Sequence, residues 1–563
     1  MSFVKALLSG LEWFGLAGGT GHAAAAPGLA VFRARGIPGP LLPVFRYHGS
    51  PVPRYPGFAV SRYLGIPDSR YPRAPDSRTP GLPASRSPRL ANALSRVSGV
   101  PVPYPRVASA PPRPHTVTMT DPAEERERGR AVRKEVPRSS HGLWIPAADR
   151  PDPLAVLQGQ ARTREPDLVP VRYGRMAVSP FTYLRGAPAV MAADLVVQRN
   201  TGLRVQLCGD AHLLNFGVFA SPERTLLFDL NDFDETLPGP FEWDVKRLVA
   251  SVAVAARDNG RPDAEARLAA RAAAESYRMS MRRLAGLGEL EVWYERITAG
   301  DLVPLVRDLE RARVEARLAR ARRRTSLQAL EKLTEIVGGR RRIVRDPPLL
   351  EPVAGLDAAS VRKILSDYRS TLPEDRRVLL DRYRFVEAAR KVVGVGSVGT
   401  RCFVALLTGR DAEDPLFLQI KEAQRSVLEP HLPKSAYRQQ GQRVVAGQRL
   451  LQAASDIFLG WVSGPGGRHY YWRQLRDMKG SADVAAMSPA LLRDYAALCG
   501  RALARAHARS GERVAIAGYL GSSDGFDRAM GDFALAYAAR TAEDHQALCA
   551  AIGSGAVAAA EGV

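Results

Sequence analysis

Cysteine is scarce: four residues in 563 (Cys208, Cys402, Cys499 and Cys549), far apart and with no CxxC pair. That spacing excludes a disulfide scaffold and argues against a structural zinc site, and a reducing cytoplasm is the simplest location. No uninterrupted apolar run approaches the roughly 20 residues of a bilayer helix, so the alanine-rich stretches read as soluble helices and no membrane partner is expected. Acidic residues are under-represented, 58 Asp+Glu against 80 Lys+Arg, for a net charge of +22. The surplus invites a nucleic-acid partner. Yet residues 1–118 hold about half of it, with about 14 basic and about 3 acidic side chains, so nucleic acid is not the leading expectation.

What residues 1–118 do have is proline, in near-repeats such as Pro67-Asp68-Ser69-Arg70-Tyr71-Pro72 and Pro75-Asp76-Ser77-Arg78-Thr79-Pro80. So proline-broken a stretch cannot build periodic apolar faces, and it is expected to be a disordered Pro/Arg-rich extension. Residues 1–27 loosely imitate a secretory signal, but Glu12 interrupts the apolar run. From Met119 the sequence changes character, and the functional protein is expected to start there.

Residues 119–205 read as an extended lead-in followed by a helix over 180–197, in which Phe181, Leu184 and Met191 recur at helical spacing. The segment Phe181-Thr182-Tyr183-Leu184-Arg185-Gly186 is either a packing helix with a solvated arginine or part of a site. Runs 216–220 and 225–230 around Ser221-Pro222-Glu223-Arg224 predict a β-hairpin. Helices are predicted over 243–333, 358–391, 435–454 and 489–509, with a frayed tail after Gly553. Short strands are predicted at 392–395, 401–408, 416–420, 457–462 and 469–475.

Chemistry concentrates in two constellations. The first is Cys208-Gly209-Asp210-Ala211-His212-Leu213-Leu214-Asn215, with Phe228-Asp229-Leu230-Asn231-Asp232-Phe233-Asp234-Glu235 beyond the hairpin. Phosphoryl transfer needs a carboxylate to orient or deprotonate an acceptor hydroxyl and an amide oxygen beside it to hold magnesium, which suits Asp210 and Asn215. A second metal ligand belongs at the end of the hairpin. Hairpin length favours Asp229, with Asp232 close behind and Asp234 as a competitor. The alternative is a polar loop capped by aspartates. The loop resembles that of aminoglycoside phosphotransferases and choline-kinase-like enzymes, Gly-Asp-x-His-x-x-Asn, with Cys208 where that family has a histidine. The resemblance implies that His212 braces the loop and that Asp244, in Trp243-Asp244-Val245-Lys246-Arg247-Leu248, bonds to its backbone. Asp244 is equally a favourable charge at a helix N-terminus.

The second constellation is Gly394-Val395-Gly396-Ser397-Val398-Gly399. A Rossmann loop would run into a helix, whereas Arg401–Leu407 is β-like, so Gly394, Gly396 and Gly399 are expected to cover ATP phosphates in the kinase manner. Lys421 ends the next strand, where kinases carry their phosphate-binding lysine. No acidic residue lies in 435–454, so its usual helix glutamate is unassigned. Tyr470-Tyr471-Trp472-Arg473-Gln474-Leu475 resembles the strand leading to an adenine-binding hinge, or is core.

In kinases the glycine turn and lysine precede the catalytic loop; here they follow it. The resemblance therefore implies an α+β, protein-kinase-like two-lobe fold that is circularly permuted, with a large helical insertion. Residues 119–390 would form a helical C-lobe-like part with the catalytic and metal-binding loops. Residues 391–550 would form an N-lobe-like nucleotide-binding part plus C-terminal helices. Through Leu207-Cys208-Gly209-Asp210-Ala211-His212 and Asn231-Asp232-Phe233-Asp234-Glu235-Thr236, residues 172–536 also resemble a bacterial family catalogued as a domain of unknown function, family 2252. The expected activity is an ATP- and magnesium-dependent phosphotransferase acting on a small-molecule acceptor. The alternatives are a nucleotide-binding pseudokinase-type regulator and a nucleic-acid binder using the arginine-rich stretch 311–324.

Overall fold

A computed structural model describes residues 121–302, 319, 322, 326–353, 357–475, 477–560 and 562. The expectations for residues 1–118, and for nearly all of 311–324, lie outside the described residues.

The predicted lead-in is helical. Asp121 caps α1 (Pro122–Glu135), accepting from the Ala123 N–H at 2.8 Å, and Asp152 caps α2 (Pro153–Ala161). Next come α3 (Val169–Ala177), α4 (Pro180–Gly186) and α5 (Pro188–Val196). The single helix expected over 180–197 is thus two, because Pro188 has no N–H to continue the ladder and disfavours helical backbone at Ala187.

After α5 the chain forms β1 (Arg204–Leu207), the hairpin β2 (Phe216–Ala220) and β3 (Leu226–Leu230), and β4 (Leu237–Pro240), which pairs antiparallel with β1. The long helices α6 (Glu242–Asp258) and α7 (Asp263–Leu284) follow, then the short α8 (Glu289–Tyr294) and α9 (Ala299–Leu302). Ala266, Ala269, Ala270, Ala273 and Ala274 form a buried stripe on α7, and small side chains there let neighbouring helices approach closely.

A second, mixed part begins with α10 (Ser326–Leu333), the hairpin β5 (Thr334–Val337) and β6 (Arg340–Ile343), β7 (Leu350–Pro352), α11 (Ala358–Ser370) and α12 (Glu374–Leu380). Then come β8 (Arg384–Lys391), β9 (Cys402–Thr408), β10 (Pro415–Glu422), α13 (Gln440–Leu451), β11 (Gly460–Ser463) and β12 (His469–Gln474). These strands form one six-stranded antiparallel sheet in the order β11-β12-β10-β9-β8-β7. Both faces are covered. Tyr368 stacks on Trp472 at 4.4 Å beside Leu407 and Leu418, while Leu330 and Leu333 of α10 cover Val404, Leu406 and Phe417. The helix expected over 358–391 is corrected to α11, α12 and then a strand: Pro373 breaks it, and Arg384–Lys391 is captured by pairing with β9. The expected strand 392–395 is part of the glycine turn.

The chain returns to the first part through β13 (Gly480–Ser481), paired with β2, and ends in α14 (Pro489–Ser510), α15 (Arg513–Leu520) and α16 (Gly525–Gly553). The tail beyond Gly553 does not fray. Val557 is buried and the Ala560 N–H donates to Pro170 O at 2.9 Å, docking the tail on α3. Among the described residues no helix is long and apolar enough to cross a membrane.

One buried base sets a pH dependence. His141 sits edge-on to Phe526 with Nε2 2.8 Å from the Tyr519 hydroxyl, and burial, aided by the Lys246 charge, lowers its pKa from 6.5 to about 3. The unfolded chain takes up this proton near pH 6.5 and the folded chain does not, so this contribution to stability is present above that pH and is lost as pH falls toward 3. Urea titrations at pH 7, 6 and 5 are expected to show a shallower acid-side loss for His141→Gln than for the parent.

Candidate active site

The strand β1 delivers its chain into a loop held at its backbone. Gly209 sits at φ 87°, and a Cβ there would lie 2.3 Å from Glu235 O, so glycine is required both by conformation and by space. Asp244, in the first turn of α6, accepts from the Cys208 N–H at 2.6 Å and the Gly209 N–H at 2.9 Å. His507 of α14 holds Asp244 in turn, with Nε2 3.1 Å from Oδ2 and Nδ1 2.8 Å from the Tyr277 hydroxyl.

This bracing presents Asp210 to a cleft. Arg247, one helical turn after Asp244, donates from Nε to Asp210 Oδ1 at 2.8 Å and from Nη2 to Leu184 O at 2.6 Å. Asp210 Oδ2 has no hydrogen-bond donor among the described residues; His212 Nε2 lies 3.8 Å from it. His212 lies in the loop beside it, and burial lowers its pKa to about 4, so it is neutral at physiological pH. Asn215 is a knot: its Nδ2 donates to Asp210 O at 3.0 Å and Asp232 O at 2.9 Å, and its Oδ1 accepts from the Asp232 N–H at 2.7 Å. It fastens the Asp210 loop to the acidic loop that follows the hairpin.

Asp229 is not in the cleft, and the preference for it as metal ligand is corrected. It is fully buried, and both carboxylate oxygens face Arg505 Nη2, at 2.6 and 2.8 Å, while also accepting from the Leu230 and Ala453 N–H groups at 2.9 Å. No lone pair faces open space where an ion would sit.

Asp232 and Asp234 line the cleft instead. Lys421, at the end of β10 and buried, reaches Asp232 Oδ1 and Oδ2 at 3.0 and 2.9 Å and Asp234 Oδ2 at 2.7 Å. The Tyr471 hydroxyl donates to Asp234 Oδ1 at 2.6 Å. Burial opposes the lysine charge, but the two carboxylates outweigh it and hold its pKa well above the usual value. On α13, Arg443 donates to Asp234 O and Thr236 O at 2.8 Å and so positions the acidic loop by its backbone.

The glycine turn closes the cleft from the other side. Gly394 and Gly399 adopt φ 67° and 85°, Gly394 and Gly396 line the cleft, and Gly399 ends the turn with its carbonyl accepting from the Glu165 N–H at 2.7 Å. Val395 is buried among α2, α3 and α4, which anchors the turn over the cavity. The enclosed cleft measures about 840 Å³, within the range of small-molecule sites. Asp210, Asn215, Asp232, Asp234, Gly394 and Gly396 all line it. Arg185, Asn231, Arg473 and Lys479 line it too, and sequence reasoning did not assign them. Arg473 donates to Asn231 O at 2.8 Å, and Asn231 Oδ1 is buried with no donor. Burial, with Arg473 nearby, lowers the pKa of Lys479 to about 7. Of the newly found residues, Arg247 alone carried a sequence signal, its i,i+3 spacing from Asp244.

No curated protein and no solved structure matches the chain significantly. Residues 164–551, which contain both loops, the glycine turn and Lys421, match the profile of a family described as "Uncharacterized protein conserved in bacteria (DUF2252)". All of the cleft's lining residues except Gln160 and Thr163 fall within the matched region, and the chain belongs to the DUF2252 family.

Proposed function

We propose that the cleft binds ATP with magnesium and transfers its terminal phosphoryl group to a hydroxyl of a small-molecule acceptor, in a circularly permuted, protein-kinase-like arrangement. The observation that carries this reading is the ion pairing of buried Lys421, at 2.7–3.0 Å, with the cleft-lining Asp232 and Asp234, nearly 190 positions earlier in the chain. A glycine turn between antiparallel β8 and β9, a lysine on the next strand, and an aspartate loop facing them are the parts kinases use. The chain order is reversed.

The donor set fits magnesium. Asp232 and Asp234 offer hard carboxylate oxygens to the cleft, and Asn215 and Asn231 offer amide oxygens beside them. Among the described residues no three His, Cys, Asp or Glu side chains gather as a metal-holding group. Magnesium needs only one or two carboxylates once substrate phosphates supply further oxygens. When bound, it would neutralise charge on the phosphates. Backbone N–H groups of the glycine turn and Lys421 would hold those phosphates. Asp210, fixed through Oδ1 by Arg247, would take the acceptor hydroxyl proton on Oδ2. As the acceptor oxygen bonds to phosphorus, the bond to the β-phosphate oxygen breaks and ADP leaves.

Asp210→Asn is expected to keep nucleotide affinity and lose ATP consumption by about 10²–10⁴-fold, the usual worth of a general base. Calorimetry and an ADP-release assay check the two halves. A second reading, a nucleotide-binding regulator without turnover, is favoured by the bond from Arg247 Nε to Asp210 Oδ1, which occupies one of the two carboxylate oxygens. It predicts binding with no ADP release in the parent.

A further inference from the structure

We infer that Arg185 contacts the phosphoryl group being transferred, as a fixed cation supplied to the cleft by the helical segment preceding the catalytic loop. The inference rests on the phosphotransferase reading and names a residue which that reading does not require.

Three observations converge on it. First, Arg185 lines the cleft between the two constellations: its carbonyl oxygen would lie 3.1 Å from a Cβ on Gly396, and its charge acts on Asp210 and His212. Second, it has no hydrogen-bonding partner among the described residues, and its Nε is fully buried. Asp210, the acid its charge favours, is already held by Arg247. A guanidinium whose buried Nε lacks an acceptor costs stability unless something else fills the place, and a phosphate oxygen matches its fork of donors. Third, the backbone on each side of it is tied down. Leu184 O accepts from Arg247 Nη2 at 2.6 Å, and Gly186 O accepts from the buried Arg172 Nη2 at 3.0 Å. The first of these bonds runs directly to the residue that orients Asp210, so cation and base are positioned by one guanidinium. A fixed donor aimed where charge shifts during transfer needs no reorganisation in the reaction.

Two other cations nearby are already engaged. Lys421 is neutralised by two carboxylates, and Arg473 is bonded to Gln419 and Asn231. Arg185 takes no proton in the step; it would stabilise charge on the terminal phosphoryl oxygens.

The test is calorimetric titration of the full chain with ATP and with ADP, each with magnesium, for the parent, Arg185→Met and Arg185→Lys, with near-ultraviolet circular dichroism to monitor the fold. A contact to the terminal phosphate predicts that Arg185→Met weakens ATP by about 10–100-fold and leaves ADP unchanged, as expected for one charge-assisted bond. Arg185→Lys, which keeps the charge and loses the fork, is expected to fall between. Equal weakening of both nucleotides, or of neither, would overturn the inference while leaving the ATP reading intact. A parent that binds neither nucleotide overturns the reading itself, and the inference with it.

Discussion

Arg505→Met is expected to cost about 3–5 kcal/mol of folding stability, the range found when one partner of a buried ion pair is removed. Against a total of about 5–15 kcal/mol, that is enough to populate unfolded chain at moderate temperature. The cause is Asp229: without Arg505 its fully buried carboxylate keeps only the Leu230 and Ala453 N–H groups and loses its counter-ion. Arg505 itself is imperfectly satisfied, with Nε and Nη1 buried and unpartnered. The double variant Asp229→Asn, Arg505→Met is therefore expected to recover a large share of the loss, since it removes both charges. Thermal or urea unfolding of the two variants and the parent checks this. The same experiment separates Asp229 from the chemistry: any loss of ligand binding in Asp229→Asn is expected to track loss of fold.

Lys421→Met is the second large effect, and its sign differs for folding and for function. Removing the cation leaves Asp232 and Asp234 facing each other without neutralisation, with only the Tyr471 hydroxyl and backbone N–H groups as donors. Because both carboxylates border the cleft, water can solvate them, and the folding penalty is expected to be smaller than for Arg505→Met. ATP affinity, by contrast, is expected to fall by about 10–100-fold, because a charge-assisted contact to phosphate is lost and the two anions now repel the ligand. Equilibrium binding of ATP beside an unfolding curve for the same variant measures both.

Much of this site was legible in the sequence because its parts are local. Asp210, Asn215 and Asp244 are separated by one loop, one hairpin and one helix start, and Gly394, Gly399 and Lys421 by two strands. The choice between Asp229 and Asp232 was not legible. Every residue of β3 is buried, so the strand shows no alternation from which a facing direction could be read. What commits Asp229 is Arg505, 276 residues away on α14. Arg443 and Tyr471 escaped assignment for the same reason, as both act on the acidic loop from more than 200 residues downstream. The β8 segment was misread because Glu387, Ala388 and Ala389 favour a helix locally, and its pairing with β9 overrides that preference. Arg185 was legible only as one residue of the segment 181–186, read as either a packing helix with a solvated arginine or part of a site. Its meaning depends on Arg172 and Arg247 fixing the carbonyls at either side.

The central claim is that one cleft, lined by Asp232 to which buried Lys421 is bonded, binds ATP through magnesium. Calorimetry of ATP with and without magnesium on the full chain, run beside Asp232→Asn, tests it most directly. The account predicts magnesium-strengthened binding in the parent and loss of that strengthening in Asp232→Asn at unchanged fold. Absence of ATP binding in the parent, or the same magnesium dependence in both proteins, would contradict it.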